Sequence, residues 1–332
     1  MSKKTWLAAY LYYAEPWEEF LIEAVQPFVR SVLEEKLADR FFFIRYWHQG
    51  PHIRLRFQGE KKRLESRVKP WLVSYFNRYF KEKPSHRAEP AQGSELPEAH
   101  QWFPNHSIRF IPYEPEIERY GGSAGILLAE KQFEISSNVV LAVIRESKEW
   151  YYDRALGAAI QLHLGFAFAL GMDLKETTAF YSHIFRMWFY RSFGYLENVP
   201  EQEIKERQEI TLKAFEENFT KQKSSLVPYH STLWDAFTQG REFEQEWLNR
   251  WLREMREIGR QLRDAQGNGV LIFPRGFKPR SLEQISEEHR PLWYILESYV
   301  HMTNNRLGIL NRDEAFLGYL IKESLREVSS RL

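Results

Sequence analysis

The residues best able to do chemistry in this chain fall in three separated segments. In residues 41–57, FFFIRYWHQGPHIRLRF, the second half alternates strictly. His52, Arg54 and Arg56 therefore share one face of a strand, and Ile53, Leu55 and Phe57 share the other. Neighbouring guanidiniums repel, so the pattern predicts a compensating anion, a carboxylate of the protein or of a ligand. A solvated outer face with paired arginines is the plainer reading. In residues 116–122, EIERYGG, Glu116 and Arg119 stand three apart and meet on a turn or helix. Gly121 and Gly122 can take positive φ and bring backbone N–H groups close to a ligand, although an ion pair before a glycine stop is common in ordinary structure. In residues 292–310, Leu292, Leu296, Val300, Leu307 and Leu310 form an apolar stripe at helical spacing, and Glu297, His301, Asn304, Asn305 and Gly308 a polar one. A histidine flanked by Asn and Glu suits a positioned general base or acid, since imidazole titrates near 6.5. A capped or solvated helix face fits the same stripe.

Several chemistries are set aside. There is no cysteine, which removes disulfides, thiolate catalysis and thiolate-bound metals. The 10 histidines are scattered without an H-E-x-x-H or similar cluster, so no metal site is expected. No phosphate-cradling glycine loop and no G-x-S-x-G occur, and no cofactor is expected. A net charge of +1 gives no global electrostatic case for nucleic acid or an anionic membrane. The start, MSKKTWLAAYLYYAEPWEEF, reads as a first strand; tyrosines interrupt its apolar run and no cleavage site follows. Residues 155–172 are interrupted by Gln161 and His163, which predicts a buried helix, not a membrane span. A soluble cytoplasmic protein is expected.

The elements that must position these segments follow from periodicity. Residues 5–13 form a strand, Pro16 opens a helix that Pro27 can kink, and residues 41–57 form a hairpin turning on Gly50-Pro51. Residues 61–80 form a second amphipathic helix, giving a β-α-β-β-α start. Residues 82–106, with four prolines, form a long loop, and residues 107–113 resume as a strand. Helices are expected near 125–146, 150–171, 173–192, 202–221, 229–238, 241–265, 289–309 and 313–330, with a Gly/Pro-rich break at 266–285 that can hold a short strand or lid. The class is α+β: an N-terminal antiparallel sheet, then a predominantly helical C-terminal half. One domain over 1–332 is expected, with sub-lobes 1–123 (α+β, sheet-containing) and 124–332 (mainly helical).

The three segments together, FFIRYWHQGPHIRLRF, then ERYGG, then HMTNNRLG, resemble the elimination domain of class I lanthipeptide dehydratases, also described as the thiopeptide-type bacteriocin biosynthesis domain. The resemblance runs over essentially the whole chain. The glutamylation domain that precedes this module in full-length dehydratases is expected to be a separate protein. The chain therefore resembles stand-alone members: the elimination half of a split dehydratase, and the related thiopeptide pyridine synthases. In that family a partner uses glutamyl-tRNA to esterify Ser or Thr of a precursor peptide, and the elimination domain removes the α-proton and expels glutamate, leaving dehydroalanine or dehydrobutyrine. The resemblance implies a lyase acting on a precursor peptide (leader plus core). It implies a separate glutamylating subunit as partner, with no direct nucleic-acid binding. Arg54, Arg56, Glu116, Arg119 and His301 match the family's catalytic residues. His301 would shuttle the proton. Arg54, Arg56 and Arg119 would hold the glutamyl carboxylate and developing charge, and Glu116 would orient an arginine or the glutamyl amine. Arg45, His52, Asn305 and Arg306 are expected as substrate-binding neighbours.

Two other readings compete. A pyridine synthase joins two dehydroalanines by formal [4+2] cycloaddition and ejects the leader; with no glutamate to grip, it would not require the full polar set. A non-catalytic partner would only present the peptide. The elimination reading carries a spatial expectation: Glu116, Arg119 and His301 should converge on the face of the hairpin that bears Arg54 and Arg56.

Overall fold

The computed structural model describes residues 4–88, 101–147, 149–194, 199–273 and 292–330. Two compact units make up the chain, Met1–Pro115 with Phe133–Trp150, and Glu116–Gln132 with Tyr151–Leu332.

The first unit begins β-α-β-β-α, as the periodicity predicts: β1 (Lys4–Tyr12), helix α1 over residues 18–34, β2 (Arg40–Tyr46), β3 (His52–Glu60) and helix α2 over residues 61–82. With β4 (Ile108–Phe110) they form an antiparallel sheet in the order β2-β3-β1-β4. Register decides which side chains share a face. Ile53, Leu55 and Phe57 stand opposite Leu11, Ala9 and Leu7 on β1, and opposite Arg45, Phe43 and Phe41 on β2. This face packs on α1 and α2, with Phe28 meeting Phe57 at 5.9 Å and Phe76 at 5.3 Å between ring centroids. Ile53, Leu55 and Phe57 are wholly buried, each contributing about 1.5–3 kcal/mol.

Both helices carry a π turn just before a proline. Leu21–Val25 precedes Pro27, and Leu64–Val68 precedes Pro70. A proline ring clashes with the carbonyl four residues back, and a wider turn at that carbonyl gives it room. The expected disturbance at Pro27 thus takes the form of a local π turn inside a continuing helix.

Helix α3 (Gly122–Glu146) belongs to both units. From Phe133 onward it lies in the first, where Phe133 meets Phe42 at 5.3 Å and the Ser137 hydroxyl accepts from the Phe43 N–H on the edge strand β2. A boundary between residues 123 and 124 does not express this division of one helix.

The second unit contains α4 (Tyr152–Ala169), α5 (Leu174–Arg191), α6 (Glu201–Thr238), α7 (Glu246–Gly267), α8 (Trp293–Leu307) and α9 (Asn311–Ser329). Helix α4, expected over 150–171, is lined by buried residues, and no described helix is long and apolar enough to cross a membrane. Helix α6 corrects the expectation of two helices over 202–221 and 229–238. It runs unbroken through Pro228, where the lost backbone bond is offset by burial of Val227, His230, Leu233, Trp234 and Phe237 on the turns around it. Residues 89–100 of the expected long loop, residues 274–285 of the expected strand or lid, and residues 289–291 of the helix expected over 289–309 lie outside the described residues.

Candidate functional site

The cationic face of β3 lies in the first unit. His52, Arg54 and Arg56 stand opposite Tyr12, Tyr10 and Ala8 on β1, and opposite Tyr46, Ile44 and Phe42 on β2. The face is not a solvated one: His52 is 0% and Arg56 7% exposed. The expected anion is absent among the described residues, and aromatic faces take its place. The Arg54 guanidinium lies 3.4 Å from the Tyr46 ring centroid and 4.5 Å from that of Tyr10. The Arg56 guanidinium lies 4.3 Å from Tyr113 and 5.1 Å from Phe42. A desolvated cation–π contact is worth about 2 kcal/mol, against several kcal/mol per buried ion. Burial accordingly pushes the Arg56 guanidinium below its ordinary pKa, and its Nε has no hydrogen-bond partner.

His52 and Arg45, expected as substrate-binding neighbours, are both held by groups of the protein itself. His52 Nδ1 donates to the Gly50 carbonyl (2.8 Å), and its Nε2 accepts from Arg54 Nε (3.2 Å). Burial holds its pKa down at about 4, so at neutral pH it is an uncharged prop for Arg54 with both nitrogens occupied. Arg45 is an odd-numbered residue of β2 and faces the helices instead, 3% exposed and paired with Glu18 at 2.6 Å. One step of strand alternation separates it from the cationic face.

The other predicted residues lie in the second unit. A 3-10 turn over Glu118–Tyr120 carries Arg119, whose Nη1 donates to Glu116 (3.1 Å) and whose Nε donates to the Ser298 hydroxyl on α8 (3.0 Å). Burial opposes the charge on Arg119, but Tyr120, Glu116 and Glu297 outweigh it and hold its pKa above the ordinary value. Gly121 and Gly122 take φ of 83° and 86°, which redirects the chain into α3; a Cβ on Gly121 would stand 2.8 Å from Ile295. Their N–H groups are not offered to a ligand: they bond to the Glu118 and Ile117 carbonyls, closing the turn.

His301 projects from α8 with its ring stacked on Trp188 of α5, centroids 4.6 Å apart. Its Nδ1 lies 2.7 Å from Glu314 Oε1, and the other Glu314 oxygen accepts from Asn304 Nδ2 (3.0 Å). Glu314 is 1% exposed, whereas the His301 side chain is 20% exposed. A carboxylate behind Nδ1 orients the ring and stabilises an imidazolium, leaving Nε2 for proton transfer. Glu297, expected to flank His301, instead pairs with His183 of α5 at 2.9 Å. Asn305 is half-buried and its carbonyl accepts from Gly308, which ends α8 at φ 82°. Arg306, expected as a substrate-binding neighbour, is wholly buried, and its Nη1 donates to the Met302 carbonyl of its own helix. Sequence reasoning missed Glu314, Trp188 and His183. The signal for Glu314 was the Gly308 stop, which folds the acidic first turn of α9 back onto the last turns of α8.

Residues 6–325 match the lantibiotic biosynthesis dehydratase C-terminal family. The chain belongs to that family. It is 32% identical over 145 residues, 44% of its length, to the subtilin biosynthesis protein SpaB of Bacillus subtilis, and that match spans 12% of SpaB. Its fold is similar to TbtD, the pyridine synthase of thiomuracin biosynthesis (TM-score 0.75, 17% identity, 99% of this chain and 100% of that one). It is also similar to TsrL (0.67, 18%, 99% and 96%). The tRNA-dependent lantibiotic dehydratase MibB of Microbispora sp. 107891 aligns over 98% of this chain and 28% of its own (TM-score 0.63, 20% identity).

Proposed function

We propose that this protein is a glutamate-elimination lyase. It converts glutamylated Ser or Thr of a ribosomally made precursor peptide into dehydroalanine or dehydrobutyrine, after a separate glutamyl-tRNA-dependent enzyme has esterified the residue. The observation that carries the reading is the arginine pair of β3. Among the described residues no carboxylate is within ion-pairing distance of Arg54 or Arg56, and both guanidiniums lie on aromatic rings, Arg56 buried and Arg54 half-buried. Such a pair suits a substrate carboxylate. His301, backed by Glu314, is assigned the α-proton; Arg119, fixed by Glu116 and Ser298, is assigned developing charge. The step balances: the Cα–H pair forms the Cα–Cβ double bond, the Cβ–O bond breaks, and glutamate leaves with that electron pair.

A second reading, pyridine synthase, is supported by the fold likeness to TbtD over both whole chains. The test is to incubate the protein with a glutamylated precursor peptide and, separately, with a peptide bearing two dehydroalanines, following mass. Loss of glutamic acid from the first supports the lyase. Untouched glutamyl peptide with ring closure and leader release from the second would replace it with the synthase.

A further inference from the structure

Behind His301 and Glu314 the hydrogen bonds continue inward. Asn304 Oδ1 lies 2.8 Å from Nε2 of His163, on α4. Glu314, Asn304 and His163 are 1%, 1% and 2% exposed, so no bulk water competes for these contacts. Every direction along the chain is then determined. As a carboxylate Glu314 only accepts, so both His301 Nδ1 and Asn304 Nδ2 must present N–H to it. That fixes the Asn304 amide with Oδ1 toward α4, and the carbonyl oxygen can only accept, so His163 Nε2 must carry a proton. Burial holds the His163 pKa at about 4, which leaves it neutral, with a single ring proton to give.

We propose that Asn304 and His163 are positioning residues for His301: a buried relay that locks Glu314 in place and His301 in the Nδ1–H tautomer, with the Nε2 lone pair free. His163 touches neither substrate nor His301. It acts by denying the Asn304 amide its flipped orientation, which would turn Oδ1 against the Glu314 carboxylate and break the chain. The catalytic consequence rests on the lyase reading; the tautomer does not.

The test is nitrogen-15 NMR of the imidazoles in the full chain, above the ordinary imidazole pKa, together with steady-state kinetics on a glutamylated peptide. His301 should appear as the Nδ1–H tautomer in the wild type. In His163→Phe and Asn304→Leu that signature should give way to a tautomer mixture, and kcat should fall roughly 10- to 100-fold with KM little changed. His163→Gln keeps an N–H near the position of Nε2 and should restore both the tautomer and kcat. A wild-type His301 in the Nε2–H form overturns the proposal whatever the activity. So does His163→Gln behaving like His163→Phe, which would mark a packing role only. The expected tautomer in a wild type that eliminates no glutamate would uphold the relay and sink the lyase reading alone.

Discussion

The arginines of β3 and the histidine of α8 are stabilised in opposite ways. In the sheet, two cations rest on the rings of Tyr10, Tyr46, Tyr113 and Phe42, with no described carboxylate nearby. In the helical unit three groups are paired with carboxylates: His301 with Glu314, His183 with Glu297, Arg119 with Glu116. Aromatic faces soften the cost of burying charge without cancelling the charge, which is the basis of the anion receptor proposed for the sheet. Carboxylates cancel it and fix geometry, which suits groups that must exchange protons in one orientation. The two clusters share one device. Each rests on a buried neutral histidine, His52 under Arg54 and His163 under Asn304.

The contrast can be broken by substitution. His301→Ala should lower kcat by roughly 10²- to 10⁴-fold with little change in peptide affinity, read by single-turnover mass analysis. Arg54→Ala should act on the other parameter, raising KM for glutamylated peptide so that kcat/KM falls by about 2–4 kcal/mol equivalent. Arg54→Lys should rescue poorly, because an ammonium cannot lie flat on Tyr46 and Tyr10. If Arg54→Ala instead lowered kcat alone, the division into an anion receptor and a proton-transfer group would be wrong.

The shared device makes a pH prediction. His52 and His163 both titrate at about 4 when folded, because burial disfavours the charged form, against an ordinary value near 6.5. Between those values the unfolded chain binds more protons, so stability rises with pH there and is lost as pH falls from 6.5 toward 4. Each contributes roughly 3 kcal/mol to that loss. Denaturant melts across the window should show the slope, and His52→Gln or His163→Gln should reduce it. An unchanged slope in both would remove the buried-neutral reading. The smallest effect expected is at the turn: Gly121→Ala should cost about 1–2 kcal/mol of stability by thermal melt, since φ of 83° strains any side chain.

Much of the architecture was legible because it rests on local period. The alternation of residues 52–57 put Ile53, Leu55 and Phe57 on the core face, and the spacing of Glu116 and Arg119 gave their ion pair. What escaped depends on register and return of the chain. Arg45 adjoins the motif in sequence yet faces the other way, a parity set by pairing with Ile53. His52 looked like a ligand-facing imidazole, but the tight turn brings the Gly50 carbonyl to its Nδ1. Glu314 sits in a first helical turn, where acidic residues usually complement the helix dipole at the surface; only the reversal at Gly308 buries it against His301. Pro228 reads as a break locally and is overruled by packing.

The most direct test of the division of labour is binding and turnover of one glutamylated peptide by His301→Ala. Wild-type affinity is expected, abolished by further substitution of Arg54 and Arg56, with the glutamyl adduct left intact. Glutamate release by His301→Ala at the wild-type rate would contradict it.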